Sequence, residues 1–138
     1  MTNELYLIDT SVWLEVLPRG SVNASLQQRV DALLSADLVA ITGTIRLELL
    51  GGARSEREWE RLDRLLEALH SLSVEENHCQ RAARMGFQLR REGITVPFTD
   101  LLIAAVALES GAVVLHRDRH FDYIASHSEL QVESLVSA

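Results

Sequence analysis

Residues 96–125 read VPFTDLLIAAVALESGAVVLHRDRHFDYIA, and this stretch decides the fold. Thr99 is placed to cap a strongly apolar helix running from Asp100 to Glu109. Gly111 stops that helix, because glycine accepts the left-handed conformation that helices often end on. Ala112 to Leu115 then forms a short, uncharged run, the signature of a strand buried on both faces. A short helix around Phe121 to Ser126 follows the turn. Helix, buried strand and helix in succession begin the alternation of helices with strands that an α/β sandwich requires.

The same alternation extends in both directions. Leu5 to Ile8 reads as a buried strand that stops at Asp9, with Thr10 or Ser11 placed to cap a helix through Leu17 and Pro18-Arg19-Gly20 to end it. Residues 22–35 space Val22, Leu26, Val30, Leu33 and Leu34 as a helix, and Leu38 to Ile41 reads as a strand. Thr42 or Thr44 starts a helix that Gly51-Gly52 stops. Residues 55–69 set charges against Leu62, Leu65, Leu66 and Leu69, an amphipathic helix. A short strand is expected at Leu72 to Val74, a helix at 75–91 ending near Gly93, and a last strand near Leu130 to Val132. Strands alternating with helices predict an α/β sandwich with a mainly parallel sheet, and ligands bind such sheets beyond the carboxyl ends of the strands.

Length and composition agree. The 138 residues suit one domain over 1–138, and 47% hydrophobic residues suffice for a core. No apolar run reaches the roughly 20 residues of a membrane span. Met1-Thr2-Asn3-Glu4 lacks the pattern of a signal peptide, so a cytoplasmic protein is expected. The single cysteine, Cys79, forms no internal disulfide and reads as a small buried residue beside Ala82, Ala83 and Gly86. The net charge of −7 argues against a nucleic-acid binder relying on bulk positive charge, but not against an enzyme using a local patch and bound cations. All 13 basic residues are arginine, so every mechanism requiring lysine is excluded.

Four acids then stand out. Asp9 directly follows the first strand, and Asp118 lies three positions beyond Leu115, so both fall at one edge of the sheet. Asp100 opens a helix, where the dipole favours a carboxylate. Glu48 sits among Leu47, Leu49 and Leu50, where a carboxylate is costly without a cation, a donor or solvent. Each has a plain alternative: Asp9 as a helix cap, Asp100 as a first-turn acid, Glu48 on an exposed stripe, Asp118 in a turn. Together, converging carboxylates repel and raise one another's pKa values unless a divalent cation joins them. An oxygen-rich set without a cysteine or histidine cluster suits Mg²⁺ or Mn²⁺ better than Zn²⁺. Such a site suits phosphoryl transfer.

LYLIDTSVWLE at 5–15, TIRLELLGG at 44–52 and the opening stretch at 96–125 occur in that order across nearly the whole chain. On these segments the sequence resembles the PIN-domain family, and within it the VapC toxins of bacterial toxin–antitoxin pairs. The resemblance implies an α/β/α sandwich and a Mg²⁺- or Mn²⁺-dependent endoribonuclease leaving a 5′-phosphate and a 3′-hydroxyl. It places the four acidic positions, catalytic and metal-holding, on Asp9, Glu48, Asp100 and Asp118. It also implies a homodimer and a VapB-type antitoxin covering the acidic pocket. Many PIN domains carry Thr or Ser two residues before the last Asp; here His116 stands there, and a structural partner for it is the expected role. Ser11 is placed to hydrogen-bond a metal ligand or to cap a helix, and Asp122 reads as a helix-start acid.

Other readings compete. A receiver domain requires a lysine, and a haloacid-dehalogenase-like phosphatase requires an Asp where Ser11 stands; no Gly-rich loop ending in Gly-Lys-Ser/Thr occurs. A PIN-like RNA-processing nuclease outside toxin–antitoxin systems and a non-catalytic RNA- or protein-binding PIN module remain as alternatives. For RNA phosphates, Arg81, Arg84, Arg90 and Arg91 are better placed than Arg54, Arg57, Arg61 and Arg64, which interleave with Glu56, Glu58, Glu60, Asp63 and Glu67.

Overall fold

A strand with apolar side chains on both faces is stable only inside a sheet covered from both sides. The computed structural model, which describes residues 4–17 and 23–137, places β1 (Tyr6–Ile8) in that position. Four further strands, β2 (Val39–Thr42), β3 (His70–Leu72), β4 (Val113–His116) and β5 (Val132–Ser134), complete one sheet in the order β3-β2-β1-β4-β5. All four pairings are parallel. The helices are α1 (Thr10–Val16), α2 (Ala24–Ser35), α3 (Gly43–Gly51), α4 (Glu56–Glu67), α5 (Glu76–Arg91), α6 (Phe98–Ser110) and α7 (Arg119–Ser126), and the arrangement is an α/β/α sandwich. The expected stop at Pro18-Arg19-Gly20, the helix start at Val22 and the Met1-Thr2-Asn3 terminus lie outside the described residues.

The chain builds outward from β1 to β2 and β3, then returns across the sheet to β4 and β5. The order therefore reverses between β1 and β4, the point where open α/β sheets form a ligand crevice. The two strand ends are stitched there: Ile8 pairs with Leu115, and the Asp9 N–H donates to the Leu115 carbonyl at 2.9 Å.

The helix over this point is α6, buried at Leu101, Ile103, Ala104, Ala105, Val106 and Ala107. It begins at Phe98 with Pro97 at the cap position, not at a Thr99 cap. Proline's fixed φ, −57° here, already suits a helix start, so Thr99 is absorbed into the first turn. Gly111 ends α6 with φ of +74°, as expected. At Gly86 a Cβ would come within 2.8 Å of Leu101 Cδ1, so the bare glycine lets α5 seat closely on α6.

Other differences are local. Asp9, rather than Thr10 or Ser11, caps α1, because its ionisable oxygen is the stronger acceptor. Of the two candidates for α3, Thr42 is the cap, accepting from the Ile45 N–H at 3.3 Å. β3 starts at His70, two residues early, where its Nε2 meets the Asp37 carbonyl at 2.9 Å. β5 is shifted to Val132–Ser134, and Leu130 packs into the core ahead of it. Cys79 is exposed, contrary to expectation: the inner face of α5 is set by His78, Ala82 and Leu89, and the next position turns away.

Candidate metal centre

Asp9 leaves β1 in an extended conformation and caps α1. Its Oδ2 accepts from the Ser11 N–H at 3.1 Å and from Ser11 Oγ at 2.6 Å. Ser11 Oγ also accepts from the Arg117 N–H at 3.0 Å, which ties the end of β1 to the turn after β4. Asp9 is 4% exposed, so these bonds fix its carboxylate in a nearly dry setting.

Asp118 repeats the device on the other strand. It caps α7, with Oδ1 accepting from the His120 N–H at 2.9 Å. Behind it His116 is fully buried, and its Nδ1 accepts from the Asp118 N–H at 3.1 Å. An accepting Nδ1 places the imidazole proton on Nε2, which lies 3.2 Å from Asp122 Oδ1, close but not aligned as a hydrogen bond. Asp122 is in turn held by Ser134 Oγ at 3.0 Å. Burial lowers the His116 pKa, against the pull of Asp122, Asp9 and Asp118. His116 is thus a neutral brace for the Asp118 turn, with the structural partner expected of it.

Asp100 enters from the first turn of α6. Its side chain is 10% exposed, and its Oδ2 is buried with no hydrogen-bond partner. Desolvation, then the shared hydrogen bond and charge of Asp118, then the charges of Asp9 and Glu48, push its pKa up to about 8. Desolvation also opposes ionisation of Asp118, but hydrogen bonds from Asp100 and His120 and the His120 charge win, and its pKa falls. The two carboxyls act as one unit that shares a proton.

Glu48 reaches the same pocket from the exposed side of α3 and accepts from Thr10 Oγ1 at 3.2 Å. Desolvation raises its pKa, the Thr10 bond opposes this, and the charges of Asp9 and Asp118 add to the rise. The four acids singled out in the sequence therefore come within electrostatic range of one another, although Asp100 and Asp118 form the tightest pair.

Sequence reasoning missed His120. Its Nδ1 lies 2.8 Å from Asp118 Oδ1 and 3.5 Å from Asp100 Oδ2. One ligand atom from each of Asp100, Asp118 and His120 falls within 4.8 Å of the others. The signal was the Asp-x-His spacing of 118–120 at the start of a helix: a capping aspartate and the second residue of its helix lie side by side. A buried, unpartnered oxygen in a group of acids is chemically suited to a divalent cation.

Fold and site together define a PIN domain, and the PIN domain family model matches residues 6–126. VapC ribonuclease Mb1587 of Mycobacterium bovis is 37% identical over 132 residues, 94% of this chain and 98% of the relative. Ribonuclease VapC51 of Mycobacterium tuberculosis is 40% identical over 136 residues, 96% of this chain and 94% of the relative. In VapBC2 from Rickettsia felis, solved with a DNA fragment from its promoter, one chain has the same fold, with a TM-score of 0.77 and 20% identity over 94% of this chain and 98% of that one. The chain belongs to the PIN-domain family, in the branch of the VapC ribonucleases.

Proposed function

We propose that this chain, as a single nuclease domain over 1–138, is a divalent-metal-dependent endoribonuclease and the toxin of a VapBC-type toxin–antitoxin pair. The observation that carries the reading is the buried, unpartnered Asp100 oxygen facing Asp118, within the field of Asp9 and Glu48. The ribonuclease names of relatives that cover nearly the whole chain support it.

Asp100 and Asp118, with Asp9 and Glu48 completing the acidic ring, would hold Mg²⁺ or Mn²⁺. When bound, such an ion lowers the pKa of a water and stabilises charge on the leaving oxygen of a phosphodiester. The chain's own residues set the geometry. Ser11 fixes Asp9, the His116 brace fixes the Asp118 turn, and the buried α6 holds Asp100 where water cannot screen it. Arg81, Arg84, Arg90 and Arg91 on α5 offer phosphate contacts, with Arg84 and Arg91 packed over the Phe87 ring at 5.3 and 5.7 Å. The acid-rich pocket fits an antitoxin segment that brings a basic side chain to it, as opposite charge favours. The VapBC name of the Rickettsia felis complex supports such a pairing, and a homodimer is the assembly the family resemblance implies.

Sequencing RNA ends after brief expression tests the reading. Wild type should create new 5′-phosphate ends at a recurring site, and a folded Asp9→Ala variant should create none. New ends undiminished in Asp9→Ala remove Asp9 from the chemistry; no new ends with wild type overturn the nuclease assignment.

A further inference from the structure

The four other histidines all have plain structural roles. His70 and His127 pair with Asp37 and Glu92 at the surface, His78 completes the cap of α5 and meets Glu109, and His116 braces the turn after β4. His120 alone turns its ring toward two carboxylates of the acidic pocket. We propose that His120 Nδ1 is a direct ligand of the divalent cation, making the centre a mixed nitrogen–oxygen site that prefers Mn²⁺ to Mg²⁺. This rests on the metal-dependent reading above and adds to it a ligand and a metal preference.

Geometry carries the assignment. Asp118 caps α7 through the His120 N–H, which brings the His120 ring back over the carboxylate that caps it. Nδ1 lies 2.8 Å from Asp118 Oδ1, yet the alignment is not that of a hydrogen bond. Asp100 Oδ2, 3.5 Å away, is likewise buried without a partner. Two buried polar atoms from different elements, neither in a geometrically aligned hydrogen bond, thus lie within 4.8 Å of each other and of Asp118, a spacing at which three donors can hold one ion. In the metal-free protein a proton shared with Asp118 and the His120–Asp118 ion pair hold these groups together; a cation held by Asp100, Asp118 and His120 would replace both with one set of contacts among the same three donors.

The donor set then selects the ion. Mg²⁺ holds its waters tightly and prefers oxygen ligands in strict octahedral geometry. Imidazole nitrogen suits first-row transition ions better than Mg²⁺, and of the two ions that a carboxylate-rich site takes readily, Mn²⁺ is the one that also accepts it. An all-carboxylate ring shares part of this preference, so the nitrogen bound to the ion, and not the affinity ratio alone, identifies the His120 ligand.

The test uses the metal-free full chain. Mn²⁺ is titrated and followed by its electron paramagnetic resonance signal, Mg²⁺ competes, and electron spin echo modulation reads nitrogen bound to Mn²⁺. Wild type should bind Mn²⁺ at least about tenfold more tightly than Mg²⁺ and show imidazole nitrogen modulation. His120→Ala should lose the modulation and weaken Mn²⁺ binding about tenfold, while Mg²⁺ binding changes less than about threefold. His120→Gln, which keeps bulk and polarity, should also lose the modulation. If either variant fails to fold, the wild-type modulation decides alone. Mn²⁺ binding without nitrogen modulation, or modulation that persists in His120→Ala, overturns the His120 assignment and leaves the metal-nuclease reading standing. No binding of either ion by wild type overturns both.

Discussion

The two walls of the acidic pocket are built differently. On the side of β4, α6 and α7, Asp100 and Asp118 are packed against His120, and burial makes Asp100 hold a proton far above the usual carboxylate range. On the side of β1, α1 and α3, Asp9 is locked by Ser11, and Glu48 stands exposed with Thr10 as its only described hydrogen-bond partner. The first wall is under electrostatic stress that a cation would relieve. The second has already met much of its need with hydrogen bonds, the exposed Glu48 included. The contrast predicts that losses on the first wall cost cation binding itself, whereas losses on the second cost cleavage mainly through alignment, with smaller losses of cation affinity.

Asp100→Asn should show the largest effect on cation binding. The neutral amide removes the negative charge of a ligand, so metal-dependent cleavage should fall by about three orders of magnitude, the scale of several kcal/mol of lost transition-state stabilisation. The same variant should stabilise the metal-free protein. The Asp100 pKa is raised from 3.8 to about 8 by folding, so its stability contribution is intact below about pH 4 and lost as pH rises toward 8. Asp118 shifts the other way and its contribution is lost only in acid, below the ordinary aspartate range. Asp100→Asn abolishes the first dependence. Thermal unfolding of the metal-free variant should gain about 3 kcal/mol at pH 8, a rise of roughly 5–10 °C, and clearly less at pH 5. Added Mn²⁺ should raise the melting temperature of wild type and leave that of the variant nearly unchanged. A variant no more stable than wild type at pH 8 would erase the difference between the walls.

The contrast also explains what was legible in the sequence. Asp9 and Asp118 were placed at one sheet edge by strand ends alone, because a parallel sheet puts all its strand ends on one side. The alternation of apolar runs and helical periods gave the sandwich for the same reason. Shifts at β3 and β5 arose where short edge strands have weak patterning and the register is set by pairing with β2 and β4. That Glu48 reaches the pocket depends on which side of α3 faces α1, which tertiary packing decides. His120 was overlooked because its one signal, the Asp-x-His spacing at a helix start, is weak, and the turn geometry imposed by Asp118 is what brings its ring inward. Cys79 was misplaced because neighbouring small residues blur which face of a helix is buried.

Glu48→Gln probes the second wall at its exposed end. It keeps the Thr10 contact through the amide oxygen and removes one negative charge from a set that includes Asp9 and Asp118. Cleavage should fall about tenfold, mostly in kcat, with Mn²⁺ affinity reduced less than about threefold. An Mn²⁺ affinity loss as large as that of Asp100→Asn would make the two walls equivalent.

Ser11→Ala should have the smallest effect and is the most discriminating probe of positioning. Ser11 Oγ is the single atom that both donates to Asp9 and accepts from the Arg117 N–H, so it joins the β1 end to the β4 turn across the pocket. Its loss leaves the backbone cap from the Ser11 N–H to Asp9 in place. The Asp9 carboxylate is then held by one bond instead of two and gains freedom to rotate, while Arg117, whose side chain pairs with Glu15, keeps its anchorage but loses its main-chain acceptor. A net loss of about 1 kcal/mol, or a few degrees of melting temperature, follows from one hydrogen bond of each kind. Cleavage should drop by about three- to fivefold at saturating Mn²⁺, because the displaced group aligns the site without carrying the ion alone. Ser11→Thr restores the hydroxyl and should recover most of the rate. If Ser11→Ala instead lowers cleavage as far as Asp100→Asn, the hydroxyl does more than orient Asp9, and the second wall must hold the cation as firmly as the first.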